Sequence, residues 1–270
     1  MMEAHINGIK ISYSQCGSGA PLLLLHAFPL GQSMWAPQIS ALSNQCRVIT
    51  LDMRGFGNSD VPDGPYSMEQ MAEDVNALID CLGIDRVILG GLSMGGYVAL
   101  AFYRKRGSRV SALILADTRA RRDEAEVREN RYKMAQLLLD KGAAAISEQM
   151  ISRLLSEKTR QSNHRLVEQA RNLIESNSPK GLAAALLGMA ERQDSTDLLS
   201  RISCPTLLLV GEQDSISTVA EMRSMKEQMP MSRLVVIPDA GHLSNWEQPA
   251  AFNQAVREFL RELPLVASKS

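Results

Sequence analysis

Ser93 lies within Gly91-Leu92-Ser93-Met94-Gly95, between an apolar run ending at Leu89 and a stretch of helical composition from Gly95 to about Arg106. G-x-S-x-G at such a junction marks a sharp strand-to-helix turn that lifts a serine hydroxyl clear of its neighbours. Glycine at 91 and 95 lets strand and helix pass closely, and the turn strains the backbone at the serine. The first amides of the helix then face any negative charge that forms beside the hydroxyl. The chemistry this suits is nucleophilic: a serine attacks an acyl carbon once a base takes its proton, and an acid orients that base.

The base has to come from four histidines. His5 sits in a first hairpin and His164 in a long helical segment, so neither has a route to Ser93, while His26 and His242 each follow an apolar run. For the acid, Asp52, Asp117 and Asp214 all stand at or just beyond the ends of apolar runs, and Asp52 precedes the serine in the chain.

Those runs are the elements that must hold the site. Residues 22–25, 47–51, 86–89, 112–115, 206–210 and 234–237 are short and almost wholly apolar, the pattern of parallel strands buried on both faces under flanking helices. Ahead of them, alternation around Asn7-Gly8 predicts a β-hairpin. Residues 67–82 carry a helical apolar stripe, with Ser67 and Gln70 as a capping box and Gly83 as the stop, and a last helix runs from Pro249 to about Leu263. From Arg119 to about Arg201 there is no strand candidate, only polar and amphipathic helical sequence. It reads as a helical insertion (119–201) on an α/β core formed by 1–118 and 202–270, leaving the sheet at the edge where such sheets bind ligands.

With Gly211-Glu212-Gln213-Asp214 after a late run, Asp239-Ala240-Gly241-His242 after the last, and His26-Ala27-Phe28-Pro29 after an early one, the chain resembles the α/β-hydrolase family over nearly its whole length. The resemblance implies an α/β fold with a mostly parallel central sheet flanked by helices and a helical cap. It also implies Ser93 as nucleophile, His242 as base and Asp214 as the orienting acid, with Asp117 as the alternative acid because some members place theirs after the earlier strand. The oxyanion donors it implies are the backbone amides of Phe28 and Met94. Ala27 stands where the family commonly carries glycine, so a positive φ there would be strained. The Arg54-Gly55-Phe56-Gly57-Asn58-Ser59 stretch resembles a scaffold loop of the family, and no phosphate-binding G-x-x-x-x-G-K-[ST] occurs.

Within the family the chain is most similar to the esterase and 3-oxoadipate enol-lactonase group, and HAFP and GLSMGG are also similar to the cofactor-free haloperoxidases. The implied activity is hydrolysis of a small or medium, mainly apolar carboxylic ester or lactone through an acyl-enzyme on Ser93. Carbon–carbon hydrolysis or perhydrolysis by the same residues, and a ligand receptor with slow turnover, are the alternatives. A serine at the turn argues against haloalkane dehalogenase and epoxide hydrolase chemistry, which need a carboxylate nucleophile. The insertion is expected to choose substrates, Leu137, Leu138, Leu154 and Leu155 being candidates to line the pocket, so that its loss changes substrate choice more than turnover of small esters.

Composition narrows the partners. With 29 basic and 30 acidic residues and a net charge of −1, no global field recruits nucleic acid or an anionic membrane. The four cysteines are scattered and the histidines lack ligand spacing, so neither disulfide, metal nor organic cofactor is expected. No apolar run approaches a membrane span and the first residues do not read as a leader, which makes the cytoplasm the default compartment.

Overall fold

The computed structural model describes residues 1–263; residues 264–270, the end of the expected core segment, lie outside the described residues. In chain order the elements are β1 (Met2–Ile6), β2 (Ile9–Cys16), β3 (Pro21–Leu25), α1 (Ala36–Leu42), β4 (Arg47–Leu51), α2 (Met68–Cys81), β5 (Val87–Leu92), α3 (Met94–Arg106) and β6 (Val110–Ala116). Then come α4 (Ala125–Lys141), α5 (Ala144–Leu154), α6 (Glu157–Ser162), α7 (His164–Ser176), α8 (Pro179–Ala190) and α9 (Thr196–Leu199) without an intervening strand. The chain returns to the sheet with β7 (Thr206–Gly211), α10 (Val219–Gln228), β8 (Ser232–Ile237), α11 (Ser244–Glu247) and α12 (Pro249–Glu262).

Among the described residues the strands form one eight-stranded sheet in the order β1-β2-β4-β3-β5-β6-β7-β8. The β1–β2 hairpin turns on Asn7 and Gly8, whose φ values of 49° and 78° are the positive pair a two-residue hairpin turn needs. β1 with β2 and β2 with β4 pair antiparallel, and the remaining pairings are parallel. β5 is buried at every position, with a strand on either side and α3 packed against it. β8 departs from the expectation of strands buried on both faces: five of its six residues are half-buried. It is the last strand, with β7 as its one neighbour, so its apolar run covers a sheet edge rather than filling the centre.

Local chemistry fixes the element ends. Ser67 Oγ accepts the Gln70 amide at the start of α2, and Gly83, at φ 66°, ends it. The basic run Arg104-Lys105-Arg106 closes α3, where it favours the helix dipole and pairs with Asp197 and Glu73. In the Arg54 to Ser59 loop, the Arg54 guanidinium grips the buried Asp74 carboxylate through two bonds of 2.6 and 2.7 Å. Asp52 accepts amides from Gln32 and Asn58, pinning the loops after β3 and β4 together.

Between β6 and β7 the helices pack mainly on one another, α4 on α8 and α5 on α7. α8 is the inner layer, with most of its residues buried, while α4 buries only Ala135 and Leu138 and turns a charged face outward. No helix among the described residues is long and apolar enough to cross a membrane.

Candidate active site

The carboxyl ends of β3, β5, β6, β7 and β8 share one edge of the sheet, and the residues singled out in the sequence lie in the loops there. Ser93 sits between β5 and α3 at φ 54° and ψ −114°, a conformation that costs a non-glycine residue free energy and survives only where the surroundings enforce it. Here they do. Its amide donates to Ala116 O at 2.9 Å, and its carbonyl accepts Gly96 N at 2.9 Å and Thr118 Oγ1 at 2.8 Å. The glycines are demanded by proximity: a Cβ on Gly91 would stand 2.6 Å from Gly96 N, and one on Gly95 2.7 Å from the Leu25 carbonyl carbon. Backbone cannot yield as a side-chain tip can, so Gly95→Ala is expected to lose about 1–3 kcal/mol of stability through overpacking, read as a lower urea midpoint at unchanged slope.

After β7, Asp214 is held in a tight turn in which its Oδ1 accepts the amides of Ile216 at 2.8 Å and Ser217 at 3.0 Å. Its Oδ2 lies 2.8 Å from Nδ1 of His242, in the loop after β8, with both side chains buried. A carboxylate can only accept, so Nδ1 carries the proton and Nε2 is left as the free base. Among the described residues Ser93 Oγ makes no hydrogen bond, so the candidate nucleophile and the imidazole share one sheet edge without a closed contact; contacts of this kind commonly tighten only when substrate is bound.

Asp117, the alternative acid, is elsewhere engaged. It is fully buried at φ 45°, with Oδ1 accepting the Gly211 amide at 2.8 Å and Oδ2 bonded to Ser244 Oγ. Burial, and then the charge of Asp214, push its carboxyl well above the usual carboxylate range, which favours the neutral acid. Its partners tie the His242 loop to the end of β6, beside the strand that carries Ser93.

The oxyanion candidates share a telling feature. Among the described residues, neither the Phe28 nor the Met94 amide finds an acceptor, although both residues are buried and buried N–H groups are almost always paired. Met94 opens α3, and Phe28 belongs to the loop after β3, the strand hydrogen-bonded to β5. His26 aims that loop: the Met53 amide donates to its Nε2 at 3.0 Å, which leaves the proton on Nδ1, 3.0 Å from Ala27 O. The Ala27 carbonyl and the Phe28 N–H belong to one peptide plane, so holding the first directs the second. Burial lowers the His26 pKa and keeps the ring neutral. Ala27 is not at positive φ, so alanine is unstrained where the family commonly carries glycine.

Sequence reasoning did not anticipate the task of His26, nor two polar residues at this edge, Asn177, which comes from the end of α7, and Glu247, which ends α11 just after His242. Trp246 donates its indole N–H to Met34 O and Trp35 packs against Phe252, so both serve the scaffold. Among the described residues, no group of His, Cys, Asp and Glu side chains is placed to hold a metal ion.

A family model described as the α/β-hydrolase fold matches residues 20–249. The chain is 33% identical over 255 residues to 3-oxoadipate enol-lactonase 2 of Acinetobacter baylyi, covering 94% of each. Its fold matches that of a thermophilic esterase from Thermogutta terrifontis, solved with malate bound, with a TM-score of 0.95 and 47% identity, covering 97% of this chain and 99% of that one. The enol-lactonase from Burkholderia xenovorans matches with a TM-score of 0.91 and 31% identity, over 97% of this chain and 100% of that one.

Proposed function

The chain belongs to the α/β-hydrolase family, and from that premise we propose that it is a serine hydrolase cleaving small or medium, mainly apolar carboxylic esters or lactones. The observation that carries the reading is the pair of acceptorless amides on the buried residues Phe28 and Met94, one on the serine turn itself and one on the loop beside it. Fixed, unengaged donors stabilise negative charge that develops next to them, and the anion that forms beside an attacking serine is a tetrahedral oxyanion.

In this reading Ser93 Oγ adds to the substrate carbonyl carbon as its proton passes to His242 Nε2. Asp214, fixed by two amides, holds the ring and stabilises the imidazolium. The oxyanion takes the Phe28 and Met94 N–H bonds, then collapses and expels the alkoxide, which collects the proton from His242. With a lactone the expelled oxygen stays attached to the acyl group. Water, deprotonated by the same imidazole, adds to the acyl-enzyme, and collapse releases the acid and restores Ser93. The helices of 119–201 act as a cap, a role supported by the turn between α5 and α6 lying against the His242 loop, where Leu154 O accepts the Leu243 amide at 3.1 Å.

The test is steady-state hydrolysis of a chain-length series of p-nitrophenyl esters beside an enol-lactone and simple alkyl lactones. Sustained release of acid from esters or lactones is the expected result. A stoichiometric burst followed by negligible turnover on every substrate would reject the reading and favour a ligand receptor.

A further inference from the structure

We propose that Asn177 and Glu247 are positioning residues through which the helices between β6 and β7 hold the two loops that carry the chemistry, so that this segment sets the rate of the chemical step as well as the choice of substrate. The inference rests on the reaction proposed above and concerns how its geometry is maintained.

Asn177 directly follows α7 and is buried. Its Nδ2 donates to Pro29 O at 2.9 Å, Leu30 O at 3.2 Å and Leu173 O at 2.8 Å, while its Oδ1 accepts the Gly57 amide at 2.8 Å. One side-chain amide therefore joins the end of α7 to the residues immediately after Phe28 and to the loop after β4. Among the described residues Phe28 N donates to nothing, so its direction depends on what grips the loop on either side: His26 before it and Asn177 after it.

Glu247 does the same at the other loop. Its Oε1 accepts the Gly241 amide at 2.8 Å, and its Oε2 accepts the amide of Ser156 at 3.0 Å and the Ser156 hydroxyl. Gly241 precedes His242, and Ser156 lies in the turn between α5 and α6. The two chains press together there, since a Cβ on Gly241 would stand 2.7 Å from Ser156 N. With the Leu243 N to Leu154 O bond, the residues on both sides of His242 are fastened to the helical segment. Charge-assisted bonds from one carboxylate to three donors make a stiff joint.

A displacement of about 1 Å in a catalytic group costs on the order of a hundredfold in rate, and each joint ties the helices to residues next to a reacting group, Pro29 beside Phe28 and Gly241 beside His242. The experiment uses the full chain with Asn177→Ala and, separately, the isosteric Glu247→Gln, which puts a donor where donors now converge. Active sites are titrated with a fluorophosphonate, and kcat and KM for p-nitrophenyl acetate are expressed per titrated site, with a thermal melt alongside. The expected result is a fall in kcat per site of about tenfold to a hundredfold with KM little changed, and slower phosphonate inactivation. Wild-type kcat per site with only a lowered melting temperature would overturn the proposal, as would a change confined to KM or to bulky esters. If Asn177→Ala does not fold, Glu247→Gln decides alone. Failure of the wild-type protein to hydrolyse any ester or lactone would defeat the reaction itself, an outcome separable from normal turnover by the variants.

Discussion

Replacing Ser93 by alanine is expected to lower ester turnover by about a millionfold and to abolish labelling by a fluorophosphonate. The size of the effect follows from what remains. Without Oγ there is no acyl-enzyme, and water must attack the substrate directly in a site shaped around an alkoxide. The Phe28 and Met94 amides still face the carbonyl oxygen and His242 still offers a base, so a residual rate about a thousandfold above that of water can persist. Alanine also fits the turn no worse than serine does, because the bonds fixing residue 93 come from its own backbone, to Ala116 O, from Gly96 N and from Thr118 Oγ1. The loss therefore appears in kcat with the fold intact, which a melt and a circular dichroism spectrum can verify. Labelling that survives in the variant would show that another group is the nucleophile.

The sequence made the scaffold legible where one force dominates. Apolar runs such as residues 206–210 announce buried strands because a parallel sheet must be apolar on both faces, and Asn7-Gly8 announces its hairpin because few other pairs tolerate positive φ twice. Ser93 was legible because its turn requires glycines at fixed offsets. β8 shows the limit: its residues have the same character as those of β7, yet they lie at an edge, and sheet order is a property of the whole chain.

The candidate site was legible only in part. Spacing alone left Asp117 and Asp214 both open as the acid, and resemblance favoured Asp214; the structure puts Asp214 2.8 Å from His242 and gives Asp117 to Gly211 and Ser244. Neither Asn177 nor Glu247 belongs to a motif or a periodic stripe. Their partners lie far along the chain, Gly57 for the one and Ser156 for the other, and a hydrogen bond between distant segments leaves no periodic trace.

The same contrast gives the second large effect. Asp214→Asn is expected to lower kcat by about ten-thousandfold, and the reason lies in the two amides that already point at residue 214. Ile216 N and Ser217 N require an acceptor at the Oδ1 position, so the carboxamide oxygen settles there and the NH2 group faces His242 Nδ1. Two donors cannot share that contact, so the imidazole moves its proton to Nε2, the nitrogen that must take the proton of Ser93. The base is lost through its tautomer while the packing is unchanged. At residue 117 the logic inverts. Asp117 accepts the Gly211 amide at Oδ1 and the Ser244 hydroxyl at Oδ2 and makes no bond to His242. An asparagine keeps its oxygen on Gly211 N and turns its NH2 toward Ser244 Oγ, a hydroxyl that can accept as well as donate, so Asp117→Asn is expected to change kcat by less than about tenfold, within roughly 1.4 kcal/mol of barrier. Measuring both variants on one chromogenic ester decides the matter, because a severe loss at 117 beside a mild one at 214 would transfer the role of orienting acid from the loop after β7 to the end of β6.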